Sequence, residues 1–409
     1  MDFEDSPEEA EFRAEARAWL EANAGEYKNP RPQPTSEAEM VKEAKAWQAK
    51  KAAGGYAAIT WPKDVGGMGG TPMQKVIFEQ ETGAYHLPPN VFAIGLGMCI
   101  PTMMAYATPE QLKYHVPRAL SGEDIWCQLF SEPASGSDLA GLRTKAEKDG
   151  DEWVINGQKI WTSGAQISDW GILITRTDPT VPKHKGLTMF FLDMHSPGVE
   201  VRPIKQISGA RGFNEVYFTD VRIPDTQRLG EVGNGWKVSL TTLMNERLSI
   251  SESDNRGVNI DTILELARKV ETDSGPAIKD KAVREQLAEW YAKYHGLRNG
   301  RYRTMTALSQ GDTPGPESSI NKAVNAPMLQ DMAALGLDLI DQAGALYDPE
   351  LEGFRRAFQD AYLGSPGLRI AGGTDEVMRN IIAERVLGLP GDIRVDKDVP
   401  FNEIPTGTK

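Results

Sequence analysis

The sequence predicts a multi-domain α+β chain: an N-terminal helical domain, a middle antiparallel β-barrel or sheet, and a C-terminal helical bundle. Three observations carry this reading. Apolar residues recur at helical period through residue 122. Between Asp151 and Pro224 the pattern changes to short β-rich runs divided by glycine, proline and aspartate. From Gly233 the helical period returns. Helices and strands are segregated rather than alternating, which argues against a doubly wound α/β fold. The 409 residues exceed one ordinary domain. The expected boundaries are 1–122 (helical), 123–232 (β), 233–390 (four-helix type) and a turn-rich tail, 391–409.

Each element has a local signal. Ser6-Pro7-Glu8-Glu9 is a capping box with proline at the first helical position, and Phe12, Ala16, Trp19 and Leu20 follow at helical spacing. Lys28 to Pro34 is a linker, because its prolines remove donors and forbid helix. A second helix starts near Ser36 and stops at Gly54-Gly55. Thr108-Pro109-Glu110-Gln111 is another capping box, and Gly122 its stop. Asp151 to Trp161 reads as a hairpin around Asn156-Gly157, a pair that tolerates the positive φ of a two-residue turn. Further strands are expected at Gly171–Arg176, Leu187–Asp193, Val199–Ile204 and Glu215–Phe218. Helical stretches then run to about 310, from 317 to 345, from 350 to 363 and from 374 to 388.

Composition narrows the function. A formal charge of −13 argues against nucleic acid or an anionic membrane as an unaided partner. No run of 18 apolar residues exists to span a membrane. The acidic start, Met1 to Asp5, is unlike a basic targeting peptide, and two cysteines, Cys99 and Cys127, make no disulfide framework. Both features point to the cytoplasm. Five scattered histidines show no metal-ligand spacing.

Four stretches could carry chemistry, and each has a plain structural alternative. Ser131-Glu132-Pro133-Ala134-Ser135-Gly136-Ser137-Asp138 is a polar loop, or a cradle of N–H and hydroxyl groups for an anion or a polar ring. Trp161-Thr162-Ser163-Gly164 ends a strand with a core tryptophan, or with one that stacks on a planar cofactor. Glu246-Arg247 lies on a helix whose buried stripe is expected at Trp236, Leu240 and Leu243; Glu246 is an exposed helical carboxylate, or a base with a pKa raised in a dry setting. Gly372-Gly373-Thr374 is a helix cap, or a close approach of backbone amides to an anion or carbonyl.

Taken in order, these motifs resemble the acyl-CoA dehydrogenase family over roughly residues 5 to 390. Trp61-Pro62-Lys63-Asp64-Val65-Gly66-Gly67 looks like its N-terminal signature, and Thr108 to Asp124 like the helix leading into its sheet. Ser131 to Asp138 is similar to "(T/S)EP-x-(A/S)GSD", and Asn156 to Trp161 to "NGxKxW". Phe213 to Pro224 resembles "F-x-(D/N)-V-x-(V/I)-P", and Arg369 to Gly388 the terminal "GGTxE…RNIIAERVLG".

The resemblance implies FAD between the β-domain and the last domain. Phe130 and Ser131 would lie along the flavin, Ser137 near the pyrophosphate or the CoA part, and Trp161 and Ser163 on the isoalloxazine. Thr374 and Glu376 would lie near the FAD phosphates or adenosine. Many members place a catalytic Glu immediately before the Gly-Thr pair. Here that position is Gly372, and Glu246-Arg247-Leu248 matches the branch that keeps its base on the mid-chain helix. The implied reaction is α,β-dehydrogenation of an acyl-CoA to the trans-2-enoyl-CoA, as in lipid β-oxidation. Glu246 takes the α-proton, the β-hydride goes to flavin N5, and electrons pass to an electron-transferring flavoprotein. Arg247 would order the CoA or the helix; the Gly372 and Gly373 backbone would line the substrate, with the Gly372 N–H at the thioester carbonyl. The missing side chain at Gly372 enlarges the space beside a branched or ring-bearing acyl group.

One stretch departs from the family. The "R-x-x-F-G…Q" element, which meets a neighbouring subunit's FAD, is replaced by Ile263 to Lys269, and "Q-x-x-G-G" is degraded at Asp338 to Gly344. The departure implies either an α2β2 assembly with a related subunit or a homotetramer with weakened FAD contacts. Two rival functions follow: an acyl-CoA oxidase-type flavoenzyme that uses O2, and a non-catalytic subunit that completes a partner's FAD site.

Overall fold

The computed structural model describes residues 5–32, 34–250, 257–273, 275–309, 315–346 and 353–405, without the side chains at 246–250, 305, 308–309, 318 and 353–355. The chain divides into two compact units, Glu4–Lys205 with Arg211–Glu246 and Ile393–Lys409, and Met1–Phe3 with Gln206–Ala210 and Arg247–Asp392.

The first unit opens with helices whose starts are fixed by hydroxyl caps. Ser6, Thr71 and Thr108 form complete capping boxes at α1 (Pro7–Asn23), α3 (Pro72–Thr82) and α5 (Pro109–Ser121), and Ser36 caps α2 (Glu37–Ala53). Gly122 ends α5 with φ 80°, a left-handed stop. Phe12, Ala16 and Leu20 bury against Trp47, Ile77 and Phe78. Each such large side chain contributes roughly 1.5–3 kcal/mol when fully buried. A π-helical turn, Gly95–Cys99, runs into α4 (Ile100–Tyr106).

The sheet has eight strands: β1 (Trp126–Leu129), β2 (Lys145–Asp149), β3 (Glu152–Ser163), β4 (Trp170–Arg176), β5 (Leu187–Asp193), β6 (Val199–Ile204), β7 (Phe213–Pro224) and β8 (Arg228–Leu229). Their order is β6-β7-β3-β2-β4-β5-β8, with β1 paired to β4. The sheet is mixed rather than antiparallel throughout, because β1 and β2 each meet β4 in parallel. Both faces of the centre are covered, so β4 and β5 read as continuous apolar runs, Ile172 to Ile174 and Phe190 to Leu192 among them.

Two local expectations fail for physical reasons. Asn156-Gly157 is not a turn; β3 runs straight through it, and the turn sits at Gly150, φ 60°. Gly157 is needed for proximity: a Cβ there would lie 2.6 Å from Thr144 Cα, and the register with β7 slips beside it as at a β-bulge. On α6 (Gly235–Ile250) the buried line is Gly235, Val238, Ser239 and Thr242, while Leu240 is exposed. The stripe expected from Trp236, Leu240 and Leu243 is therefore rotated. The small and hydroxyl-bearing residues face inward, which lets α6 pack closely.

The second unit contains α7 (Ile260–Lys269), a two-strand turn of β9 (Glu271–Thr272) and β10 (Gly275–Pro276), α8 (Lys281–Ser309), α9 (Ser318–Ile340), α10 (Gly353–Leu368) and α11 (Asp375–Ile381), the last continuing as a π-helical turn. Asn259 caps α7. Ile263, Leu266, Trp290, Met332 and Phe358 form its core. Gly336 lets α9 approach α10, since a Cβ there would lie 2.2 Å from the Phe358 ring. Among the described residues, no helix is long and apolar enough to cross a membrane.

Candidate functional site

In the first unit, a ledge forms where β1 and β3 end side by side. The Ile160 N–H donates to Ser131 O at 2.9 Å, joining the segment after β1 to β3. Beneath it lies a buried ion pair. Lys159, with no exposed surface, donates to Glu132 Oε1 at 2.8 Å and to Phe130 O at 3.0 Å. Glu132 also accepts from the backbone N–H groups of Arg143 (2.6 Å) and Thr144 (2.9 Å). Burial alone would raise the Glu132 pKa, but Lys159 and these donors outweigh it and hold the carboxyl below its usual range. The pair therefore fixes Phe130-Ser131 against Ile160-Trp161.

Trp161 stands at the outer end of this ledge. Its φ is 60°, and its side chain is 56% exposed. A β-branched or aromatic residue in the left-handed region costs of order 1–3 kcal/mol and persists only where surroundings impose it. The β3–β7 register shifts between Lys159 and Thr162, which releases this stretch from the ladder. Phe213 meets the indole edge-on at 6.2 Å. Ser163 is half-buried, and Thr162 Oγ1 is buried without a hydrogen-bond partner among the described residues.

These residues fit a flavin. A planar ring system needs a flat surface and hydrogen-bonding groups at its polar edge. The exposed indole offers the first; the half-buried Ser131 and Ser163 offer the second. Ser137 sits apart from the ledge, exposed on the turn that follows Glu132. Ser135 Oγ donates to Asp138 O within that turn.

The second unit brings together Gly372, Gly373, Thr374 and Glu376. The glycines adopt φ 65° and 94°. Thr374 accepts from the Val377 N–H at 3.3 Å as N-cap of α11. Glu376 is exposed, and local backbone and Thr374 hydrogen bonds hold its carboxyl below the usual range. The turn is anchored from behind: Lys322 donates to Ala371 O and Gly373 O, and Arg369 binds Asp375 at 2.7 Å and Gln330 at 3.0 Å. The side chains of Glu246 and Arg247 lie outside the described residues; only their helical backbone is placed.

Glu132, Lys159, Lys322 and Arg369 were not singled out by sequence reasoning. Glu132 and Lys159 lie inside the two quoted motifs, where only their burial reveals that they pair. Lys322 acts through space on a loop 51 residues away in sequence, with no local signal; Arg369 heads the quoted terminal motif, and its link to Gln330, 39 residues away, has none.

Three family models match end to end: acyl-CoA dehydrogenase N-terminal domain at 6–123, middle domain at 127–221 and C-terminal domain at 233–387. The acyl-CoA dehydrogenase IpdE1 of Mycobacterium tuberculosis is 36% identical over 390 residues, covering 94% of this chain and 98% of that protein. The ChsE4–ChsE5 complex from Mycobacterium tuberculosis matches at TM-score 0.79 and 28% identity, over 96% of this chain and 100% of that one. The Tcur3481–Tcur3483 steroid ACAD matches at TM-score 0.77 and 28% identity, with the same coverage. With all three domains matched in order and a flavin-compatible ledge in place, the chain belongs to the acyl-CoA dehydrogenase family, FAD-dependent oxidoreductases that act on the CH–CH bond of acyl-CoA thioesters.

Proposed function

We propose that this enzyme uses Glu246 as the base that removes the α-proton of an acyl-CoA, giving the trans-2-enoyl-CoA. One observation carries the assignment. Gly235, Ser239 and Thr242, all buried, lie one below another on α6, and Glu246 continues that row at the next i+4 position. The row points inward, and Thr242 is fixed there by a 2.9 Å hydrogen bond to Thr102 Oγ1. A carboxylate continuing such a row would meet the dry setting that raises its basicity toward operating pH.

FAD, when bound, supplies the acceptor for the β-hydrogen and its electron pair. Phe130, Ser131, Trp161 and Ser163 would hold the ring; Ser137, Thr374 and Glu376 would serve the phosphate and adenosine parts. The Gly372 N–H would stabilise the negative charge that develops on the thioester carbonyl. Arg247 orders the CoA or the helix, and Gly373 lines the same wall. Desolvation on substrate binding would bring the strengths of acid and base closer.

The acyl group is bulky, branched or ring-bearing. The absence of a side chain at Gly372 would leave room for such a group, and the steroid ACAD match agrees with the size. An electron-transferring flavoprotein takes the electrons, in the cytoplasm. The working assembly pairs this chain with a related subunit in an α2β2 tetramer, a reading supported by the altered Ile263 to Lys269 stretch and by the two-protein ChsE4–ChsE5 complex.

Glu246→Gln tests the base. The variant is expected to keep FAD and to lose anaerobic flavin bleaching by acyl-CoA about 1,000-fold. Near-normal bleaching would move the base elsewhere. A panel of straight, branched and steroid-like thioesters ranks substrates. Full FAD occupancy in a lone homotetramer would remove the two-subunit assembly, and acyl-CoA-dependent O2 consumption without a carrier protein would replace the flavoprotein acceptor.

A further inference from the structure

The family models stop at Val386-Leu387, yet the chain continues, and Ile393 to Pro405 returns to pack within the first unit. Five contacts hold it there. Pro400 forms an antiparallel bridge with Pro182 in the β4–β5 loop. The Phe401 and Asn402 N–H groups donate to Val181 O (3.0 Å) and Pro179 O (2.9 Å). The Phe401 ring covers the Arg176 guanidinium at 3.5 Å, and Asp396 pairs with Lys183 at 2.5 Å.

Both cations that the tail engages also grip the turn carrying Ser137. Lys183 donates to Asp138 Oδ1 and Oδ2, each at 2.9 Å. Arg176, buried and without a carboxylate within ion-pair distance among the described residues, donates to Ala140 O (2.5 Å), Leu142 O (3.0 Å) and Lys183 O (3.2 Å). A guanidinium in that setting needs something besides carbonyls to shield it, and the Phe401 ring face does so. Ser137 thus sits exposed beside a turn clamped from behind at Asp138 and at 140–142.

We infer that Ile393–Pro405 is a strap that preorganises the Ser137 turn, with Phe401 and Asp396 as positioning residues for a nucleotide phosphate bound there. The inference rests on the reading that Ser137 meets a phosphate of FAD or of CoA, two sources of one chemistry. A loop holds a ligand tightly only when its backbone is fixed before binding. Releasing the strap frees the turn and weakens the phosphate-bearing ligand, leaving the reacting groups in place.

The test uses the full-length FAD-loaded enzyme with Phe401→Ala, Asp396→Asn, Phe401→Trp and Ser137→Ala. Three quantities are read: hydrogen exchange at 136–142, FAD dissociation from flavin fluorescence, and the dissociation constant of CoA itself. Phe401→Ala and Asp396→Asn are expected to speed exchange in the turn and to weaken FAD or CoA about tenfold, with kcat at saturation unchanged. Phe401→Trp keeps the ring face and retains both. Whichever ligand weakens identifies the phosphate. Unchanged exchange in both folded variants overturns the strap. Faster exchange with both affinities intact, while Ser137→Ala weakens one, also overturns it. If Ser137→Ala changes neither affinity, the Ser137 reading has failed. The strap then stands only if Phe401→Ala still weakens a ligand, and falls if it does not.

Discussion

Replacing Lys159 by Met is expected to destabilise the protein severely. The side chain is of similar length and apolar, so packing is nearly kept and the loss is electrostatic. Glu132 would remain buried with its two backbone donors but no cation. Removing one member of a buried ion pair typically costs about 3–5 kcal/mol, and Phe130 O also loses its ammonium donor. Against a total stability of roughly 5–15 kcal/mol, that is a large fraction. At about 2–4 °C per kcal/mol for a domain of this class, the melting temperature should fall by roughly 10 °C. The double variant Lys159→Met/Glu132→Leu removes both charges and should recover most of the loss, because paired burial of charge is itself expensive. Urea unfolding followed by tryptophan fluorescence, with and without added FAD, measures both. The sign with pH follows from the lowered Glu132 pKa: its contribution is complete above about 4.5 and disappears as pH falls through the lower folded value. A Lys159→Met loss under 1 kcal/mol, or a double variant as unstable as the sum of the singles, refutes the reasoning.

Three further outcomes are expected. Thr102→Val removes the hydroxyl that holds Thr242, one turn before Glu246; kcat should fall about tenfold with FAD retention unchanged, Thr102→Ser should restore it, and equal kinetics in all three would remove the link. His115 is buried among Trp126, Trp170 and Phe191, its Nδ1 without a partner among the described residues, and burial pushes its pKa down to about 4. As pH falls from about 6.5 toward 4 the unfolded chain takes up a proton that the native state refuses, so stability declines by about 3 kcal/mol; His115→Phe should flatten that slope in thermal melts, and an unchanged slope assigns it elsewhere. Gly157→Ala would press a Cβ onto Thr144 and should cost on the order of 2–3 kcal/mol in urea unfolding, whereas Gly150→Ala, with open space but φ 60°, should cost about 1–2 kcal/mol.

Much of the fold was legible because its signals are local. Ser6, Ser36 and Thr108 cap helices where their sequence context says they should, and Gly122 ends one with the left-handed φ that glycine allows. Leu187–Asp193 and Val199–Ile204 are strands at the expected residues. The failures share a cause. Asn-Gly is a turn signal only if the backbone is free to turn, and at Asn156-Gly157 it is instead pinned by β7 on one side and Thr144 on the other. The parallel β1–β4 pairing joins residues forty-four apart (Trp126 with Trp170), a distance at which no short pattern speaks.

The candidate site's residues stand out in the sequence, whereas the side chains that support them do not. Motif residues such as Trp161 and Ser163 announce themselves, yet nothing in the string says that Trp161 takes a left-handed φ, or that Lys159 lies wholly buried two residues before it. Those two facts belong together. A strained, exposed indole stays in place only if the strand behind it is tied down, and the Glu132–Lys159 pair does the tying, from β3 to the backbone of Phe130. The same division holds on α6. Large apolar residues suggested a stripe through Leu240, but hydroxyls that find partners bury as readily: Ser239 bonds Gly235 O at 2.8 Å and Thr242 bonds Thr102. Read by hydrophobicity, the helix buries Leu240; read by which small residues satisfy one another, it buries Ser239 and Thr242 instead. An inward row of glycine, serine and threonine is what close helix packing beside a polar centre requires, and it is the feature that a search for apolar periodicity is built to overlook.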